Sequence, residues 1–219
     1  MVFIAFEGFD GVGKSTQANR LLSRFKREKP DTSVDMNIEP NPVHWNAVKD
    51  IFFDLAPPAK ALLFSALHTD SMYNGIGSLL KKHDIVIGDR SVYSMLAYQG
   101  GDVVGTHQWL EDIVQHTQLP DVVILLTSSL TTIKDRLSSK KKDEFENISD
   151  NKIEKIYDEY HYWLWREPIN PLGAHYSVEA AGTEQEIEDT IWMIISSKKV
   201  LDSRTVPYPL EQWEKGYSR

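Results

Sequence analysis

The octapeptide Gly8-Phe9-Asp10-Gly11-Val12-Gly13-Lys14-Ser15 has the make-up of an anion cradle. Its glycines let backbone N–H groups turn inward around an oxyanion, and a helix opening at Lys14 adds the partial positive charge of its N-terminus. Lys14 brings a full charge to the β- and γ-phosphates of a nucleoside triphosphate, and the Ser15 hydroxyl is a ligand for Mg²⁺. The spacing is G-x-x-x-x-G-K-[ST], the P-loop pattern. Gly8, Asp10, Gly11, Val12, Gly13, Lys14, Ser15 and Thr16 are therefore the expected ATP-binding residues, with Mg²⁺ as cofactor.

A second acid–base pair closes the run Ile85-Val86-Ile87-Gly88-Asp89-Arg90. It falls at the carboxyl end of an expected strand, where open α/β sheets bind their ligands. Asp89 is placed to hold Mg²⁺ through water, and Arg90 to clamp a second phosphate in bidentate fashion. The alternative is an ordinary surface ion pair.

These residues need a scaffold, and the pattern along the chain supplies one. Short apolar runs at Val2–Glu7, Ser33–Ile38, Asp84–Gly88, Asp121–Leu126 and His175–Glu179 alternate with amphipathic stretches. That alternation predicts parallel strands buried on both faces. A helix is expected from Lys14 to Glu28, with Ala18, Leu21, Leu22 and Phe25 on one face. Another carries Ile153, Ile156, Tyr157, Tyr160 and Leu164, and a last one, opened by a Thr183/Glu186 capping box, carries Ile187, Ile191, Ile194 and Ile195. The expected fold is an α/β P-loop NTPase: a doubly wound five-stranded parallel sheet with helices on both faces. One domain is expected over residues 1–200, with a charged lid near 138–149, followed by an extension at 201–219 of no legible role.

The rest of the composition works by exclusion. There is no cysteine among the 219 residues, which removes disulfide and thiolate chemistry. A formal charge of −8 disfavours a nucleic-acid polymer as partner and suits a small anion held in a local basic cleft. No apolar run approaches the length of a membrane span, so a cytoplasmic setting is expected.

The stretch Asp89-Arg90-x-x-x-Ser94-x-x-Ala97-Tyr98-Gln99-Gly100 resembles that of the thymidylate kinases. So do Leu62-Leu63-Phe64-Ser65-Ala66, the start Phe6-Glu7-Gly8-Phe9-Asp10, Glu39-Pro40 and the lid-like Phe145-Glu146-Asn147. The resemblance implies phosphorylation of dTMP to dTDP by MgATP, and a homodimer. It also implies an acceptor pocket of Asp10, Glu39, Phe64, His68, Arg90, Ser94, Met95 and Tyr98, in which Phe64 stacks on the pyrimidine, Arg90 holds the acceptor phosphate, and Asp10 and Tyr98 approach the sugar. Phe64 can equally be a core residue, Tyr98 can pack on Trp109, and Asp10 can simply brace the loop.

Three positions depart from the pattern. His68 stands where the family usually has an arginine four residues after the stacking phenylalanine, and Gly11 and Glu144 stand where many members carry a catalytic arginine. Arg136 and the run Lys140, Lys141 and Lys142 are the substitutes at hand, making Lys14, Arg90, Arg136 and Lys142 the expected catalytic set; the lysine run also reads as a solvated turn. Glu39-Pro40, Trp45 and Arg90-Ser91-Val92-Tyr93-Ser94 resemble the deoxynucleoside kinases instead, where Glu39 would act as general base on a 5′-hydroxyl. A non-catalytic nucleotide-binding module is the third alternative.

Overall fold

The computed structural model describes residues 1–100, 106–114, 116–138, 149–165 and 174–197. The lid positions 139–148, with Lys140, Lys141, Lys142, Glu144 and the Phe145-Glu146-Asn147 stretch, lie outside the described residues, as does the 201–219 extension.

In chain order the elements are β1 (Val2–Glu7), α1 (Lys14–Glu28), β2 (Val34–Ile38), α2 (Pro42–Asp54) and α3 (Pro57–Asp70). The last runs on through a π-helical turn, Ser71–Ile76, into the short α4 (Gly77–Leu80). Then come β3 (Ile85–Asp89), α5 (Val92–Gln99), α6 (Thr106–Val114), β4 (Val122–Thr127), α7 (Leu130–Ser138), α8 (Asp150–Trp165), β5 (Ala174–Glu179) and α9 (Glu184–Ile195). The strands pair in the order β2-β3-β1-β4-β5, all parallel. This is the expected doubly wound sheet.

Successive side chains of a strand point to opposite faces, and both faces here are covered. Ile4 and Phe6 of β1 pack with Leu21 and Phe25 of α1 and Ile187 and Ile191 of α9. Phe3 and Ala5 face the other way, onto Met72, Ile76 and Leu80. Farther along that second face, Val123 and Leu125 of β4 meet Tyr93 and Leu96 of α5 and Tyr160 and Trp163 of α8. The strands come within one residue of the expected bounds. Asp89 belongs to β3 because its backbone pairs with Phe6 on one side and Ile38 on the other.

The Thr183/Glu186 capping box opens α9 as expected. That helix is also latched to α1: Arg24 reaches Asp189 at 2.6 Å and lies over the Trp192 ring at 4.9 Å, and Arg20 reaches Glu188 at 2.7 Å. Between β2 and β3, α2 is capped by the Asn41 side chain on the Val43 N–H at 2.9 Å. With α3 it forms a partly exposed shoulder beside the carboxyl ends of the strands.

Candidate active site

The loop after β1 must turn sharply between the sheet and α1, and Gly8 makes the turn at φ 132°. A Cβ there would stand 2.3 Å from the carbonyl oxygen of Leu126, so only glycine fits against β4. Gly13 precedes α1 at φ 111° and frees the first N–H groups of that helix to point into the loop. Lys14 folds back over the loop, with Nζ donating to the carbonyls of Gly8 and Phe9, both at 2.9 Å, and 3.7 Å from Asp10. Burial and then the charge of Arg90 push its pKa down to about 8, against the pull of Asp10, Asp89 and Glu7. Ser15 and Thr16 are exposed in the first turn of α1.

Arg90 follows β3 with a left-handed backbone, φ 76°, a conformation costly for any residue but glycine and held here by its N–H donating to Phe6 O at 3.0 Å. The turn sends its guanidinium toward the P-loop. There it pairs with the Asp10 carboxylate, donates to Ser94 Oγ at 3.2 Å, and lies 5.3 Å from the centre of the Tyr98 ring. Burial alone would raise the pKa of Asp10, but Arg90 and Lys14 outweigh it and hold the carboxyl ionised. Tyr98 stacks on Phe9, with ring centres 6.0 Å apart, and its hydroxyl accepts the Asp10 N–H at 3.1 Å. One carboxylate thus joins the two cations expected to meet the two phosphates.

Beneath this pair lies a residue that sequence reasoning left out. Glu7 is fully buried at the end of β1. Its carboxylate accepts from Ser91 Oγ at 2.6 Å, from Ser94 Oγ, and from the Tyr160 hydroxyl at 3.1 Å. Burial raises its pKa, while the hydroxyl donors and Arg90 oppose the rise. The available signal was a carboxylate closing an apolar strand directly before the first glycine of the motif.

On the acceptor side, α3 presents Phe64 and His68 one turn apart. Phe64 is half-buried, stacked on Trp45 at 5.5 Å and edge-on to Phe52 at 5.0 Å. His68, which the resemblance puts in the acceptor pocket, has Nδ1 at 2.5 Å from Glu39 Oε1 and Nε2 at 2.9 Å from Thr117 Oγ1. Both nitrogens are engaged, and the side chain is only 2% exposed. Thr117, far along the chain, gave no signal of this. Glu39 lies beside the site because its N–H donates to Asp89 O at 3.0 Å. Met95, also buried, puts its sulfur 3.6 Å from Ser65 Oγ.

Arg136 on α7 donates to Val12 O and Ala180 O, both at 3.0 Å, bracing the P-loop against the turn after β5. Facing a transferring phosphoryl group would require it to give up those bonds. Lys142 lies outside the described residues. Asp89 is buried at the end of β3, near enough to raise the pKa of Lys14. With Ser15 it offers oxygen ligands, the kind that Mg²⁺ takes.

Residues 6–181 match the family model described as thymidylate kinase. The chain is 34% identical over 162 residues to a probable thymidylate kinase of Thermococcus onnurineus (strain NA1), covering 68% of this chain and 78% of the relative. It is 31% identical over 166 residues to a thymidylate kinase of Thermosipho africanus (strain TCF52B), covering 73% and 82%. With a thymidylate kinase of Mycoplasmopsis agalactiae it shares 28% over 171 residues, covering 73% and 80%.

Proposed function

We infer the reaction from the fact that the chain belongs to the thymidylate kinase family: it transfers a phosphoryl group from ATP to dTMP, giving ADP and dTDP. The observation that carries the reading at the site is the contact of Asp10 with both Lys14 and Arg90. It brings the donor-phosphate lysine and the acceptor-phosphate arginine to one point.

The division of labour follows from charge. A monophosphate has a second pKa of about 6, so its attacking oxygen is mostly ionised at neutral pH and needs clamping rather than a base. Arg90 holds it, while Lys14 and the P-loop N–H groups take the charge of the transferring group. Phe64 gives the base a stacking surface, Tyr98 and Asp10 border the sugar, and Ser94 steadies Arg90. Arg136 and Lys142 supply further positive charge when the lid, near 138–149, closes and excludes water.

Ser15, and Asp89 through water, would hold Mg²⁺, which would neutralise phosphate charge there. Among the described residues no three His, Asp or Glu side chains gather into a metal cage, and Mg²⁺ ordinarily relies on substrate phosphates and water for most of its ligands. The ion would screen the phosphate oxygens that Lys14 also contacts.

The enzyme is a cytoplasmic homodimer in this reading. No helix among the described residues is long and apolar enough to cross a membrane. Val43, Ile51 and Phe53 of α2 and Leu62 of α3 are exposed apolar residues that a second copy would cover. Release of ADP with dTMP, with thymidine and with no acceptor tests the whole reading. dTMP must be the substrate that drives it.

A further inference from the structure

The Tyr160 hydroxyl has one proton and three acceptors within reach. Glu7 Oε2 is at 3.1 Å, Gly8 O at 3.3 Å and Ser94 Oγ at 3.0 Å. Ser94 gives its own proton to Glu7 and accepts from Arg90, so in its contact with Tyr160 the tyrosine hydroxyl is the donor, to the second lone pair of Ser94 Oγ. The proton of Tyr160 is therefore open to three acceptors, of which the charged carboxylate behind Arg90 is the strongest and the first carbonyl of the P-loop is the one that binding at Lys14 can strip of its other donor.

What decides between them is Lys14. Its ammonium now donates to Gly8 O and Phe9 O, with Asp10 as its third neighbour. An ammonium has three N–H groups, two of them on Gly8 O and Phe9 O, so reaching both the β- and the γ-phosphate takes at least one off those carbonyls. Gly8 is buried, and a buried carbonyl that loses its donor costs the full penalty of an unmade hydrogen bond. Tyr160 is the donor that stands ready.

We propose that Tyr160 is a positioning residue whose proton passes from Glu7 to the Gly8 carbonyl when Lys14 engages a triphosphate, so that filling the ATP site strengthens the hold of Arg90 on the acceptor phosphate. The first half is local compensation at Gly8. The second follows from Glu7, which loses one of three hydroxyl donors and presents more uncompensated negative charge. That charge draws on Ser94 and steadies the guanidinium that Ser94 and Asp10 already hold. Burial strengthens every one of these interactions. No atom of Tyr160 need touch either nucleotide.

The inference rests on the dTMP kinase reading, and its test separates the two. Binding of a non-hydrolysable β,γ-imido ATP analogue with Mg²⁺ and of dTMP is measured by calorimetry, each alone and each in the presence of the other. In the unaltered protein the analogue tightens dTMP by about fivefold or more, the lower range of ordinary coupling. Tyr160→Phe keeps the buried ring and removes only the hydroxyl. It weakens the analogue about fivefold or more, because Gly8 O is then orphaned, tightens dTMP alone toward its affinity in the analogue's presence, because Glu7 has already lost that donor, and cuts the coupling to less than about twofold. Glu7→Gln, nearly isosteric, removes the coupling while leaving the analogue's own affinity within about twofold, and it carries the test if Tyr160→Phe folds poorly. Undiminished coupling in either variant overturns the proposal. So does a Tyr160→Phe protein that loses affinity for both nucleotides equally, which marks a merely structural role. If dTMP does not bind the unaltered protein at all, the dTMP kinase reading fails, while the analogue's affinity still decides the role of Tyr160 at Gly8.

Discussion

Glu39 and His68 are locked to each other, carboxylate Oε1 to ring Nδ1 at 2.5 Å, and Thr117 takes the other ring nitrogen at 2.9 Å. The position where the family usually has an arginine thus offers no free donor, and Met95 has none to give. In the proposed pocket, shape and stacking on Phe64 would be left to choose the base. Discrimination by shape is worth only about 1–3 kcal/mol per methyl-sized difference. dUMP and 5-substituted dUMP analogues are therefore expected within roughly a hundredfold of dTMP in kcat/KM. A gap of about ten-thousandfold would mean that other groups restore strict recognition.

The same lock bears on Glu39 as a base. A carboxylate already bound to an imidazole, acting on an acceptor that needs no deprotonation, contributes little to proton transfer. Glu39→Gln should lower turnover of dTMP by less than about tenfold, short of the 10²–10⁴ typical of a lost general base. A thousandfold loss, together with thymidine outrunning dTMP, would mark a nucleoside kinase.

Lys14 gives a pH signature. Its pKa of about 8 lies below the ordinary 10.5, so above about pH 8 the folded chain releases a proton that a bound triphosphate must restore. ATP-analogue affinity should be level below that point and fall by up to about tenfold per pH unit above it, with proton uptake on binding at pH about 9. Between about 8 and 10.5 the unfolded chain holds the extra proton, so this group's contribution to stability rises with pH there. Lys14→Ala should flatten the affinity profile and cut turnover about a thousandfold or more while remaining folded. Unchanged turnover would remove Lys14 from the chemistry.

At Gly8, any side chain meets the Leu126 carbonyl, and the backbone at φ 132° is one that L-residues avoid. Gly8→Ala should cost about 3 kcal/mol or more of unfolding free energy, read by urea denaturation. A loss under about 1 kcal/mol would show that the loop can shift off β4.

Arg136 distinguishes bracing from charge delivery. If its bonds to Val12 O and Ala180 O persist during turnover, Arg136→Ala raises KM for ATP about tenfold with little change in kcat. A fall in kcat at constant KM would show that the guanidinium swings to the transferring group. Neutralising Lys140, Lys141 and Lys142 together is the companion experiment. A lid role lowers turnover more than ATP affinity.

The sheet was legible because its three central strands, β1, β3 and β4, are buried on both faces and read as apolar runs, and the P-loop because its spacing is set by the phosphate it wraps. Helix α2 was not, since none of its residues is fully buried and its apolar residues therefore follow no single face. The site was legible where chemistry is carried by adjacent residues, as in Asp89-Arg90. It was hidden where partners meet only in space. Nothing in the sequence joins His68 to Thr117, or Glu7 to Tyr160, 153 positions away. His68 shows the hazard of inferring a side chain's task from its position alone, because both its ring nitrogens are committed to neighbours.

The first strand made is the middle strand of the finished sheet, paired with β3 and β4 on its two sides. While the chain emerges from a ribosome, Val2–Phe6 must wait for residues 85–89 and then 122–127 before both edges are satisfied. Until then an unbroken apolar strand stands open to any other chain that can pair with it. The Gly8 turn is seated against Leu126, so its final shape also depends on a segment synthesised more than a hundred residues later. Fragments ending before β4 should accordingly aggregate rather than bind nucleotide, and slow synthesis at low temperature or chaperone supply should raise the soluble yield of the full chain.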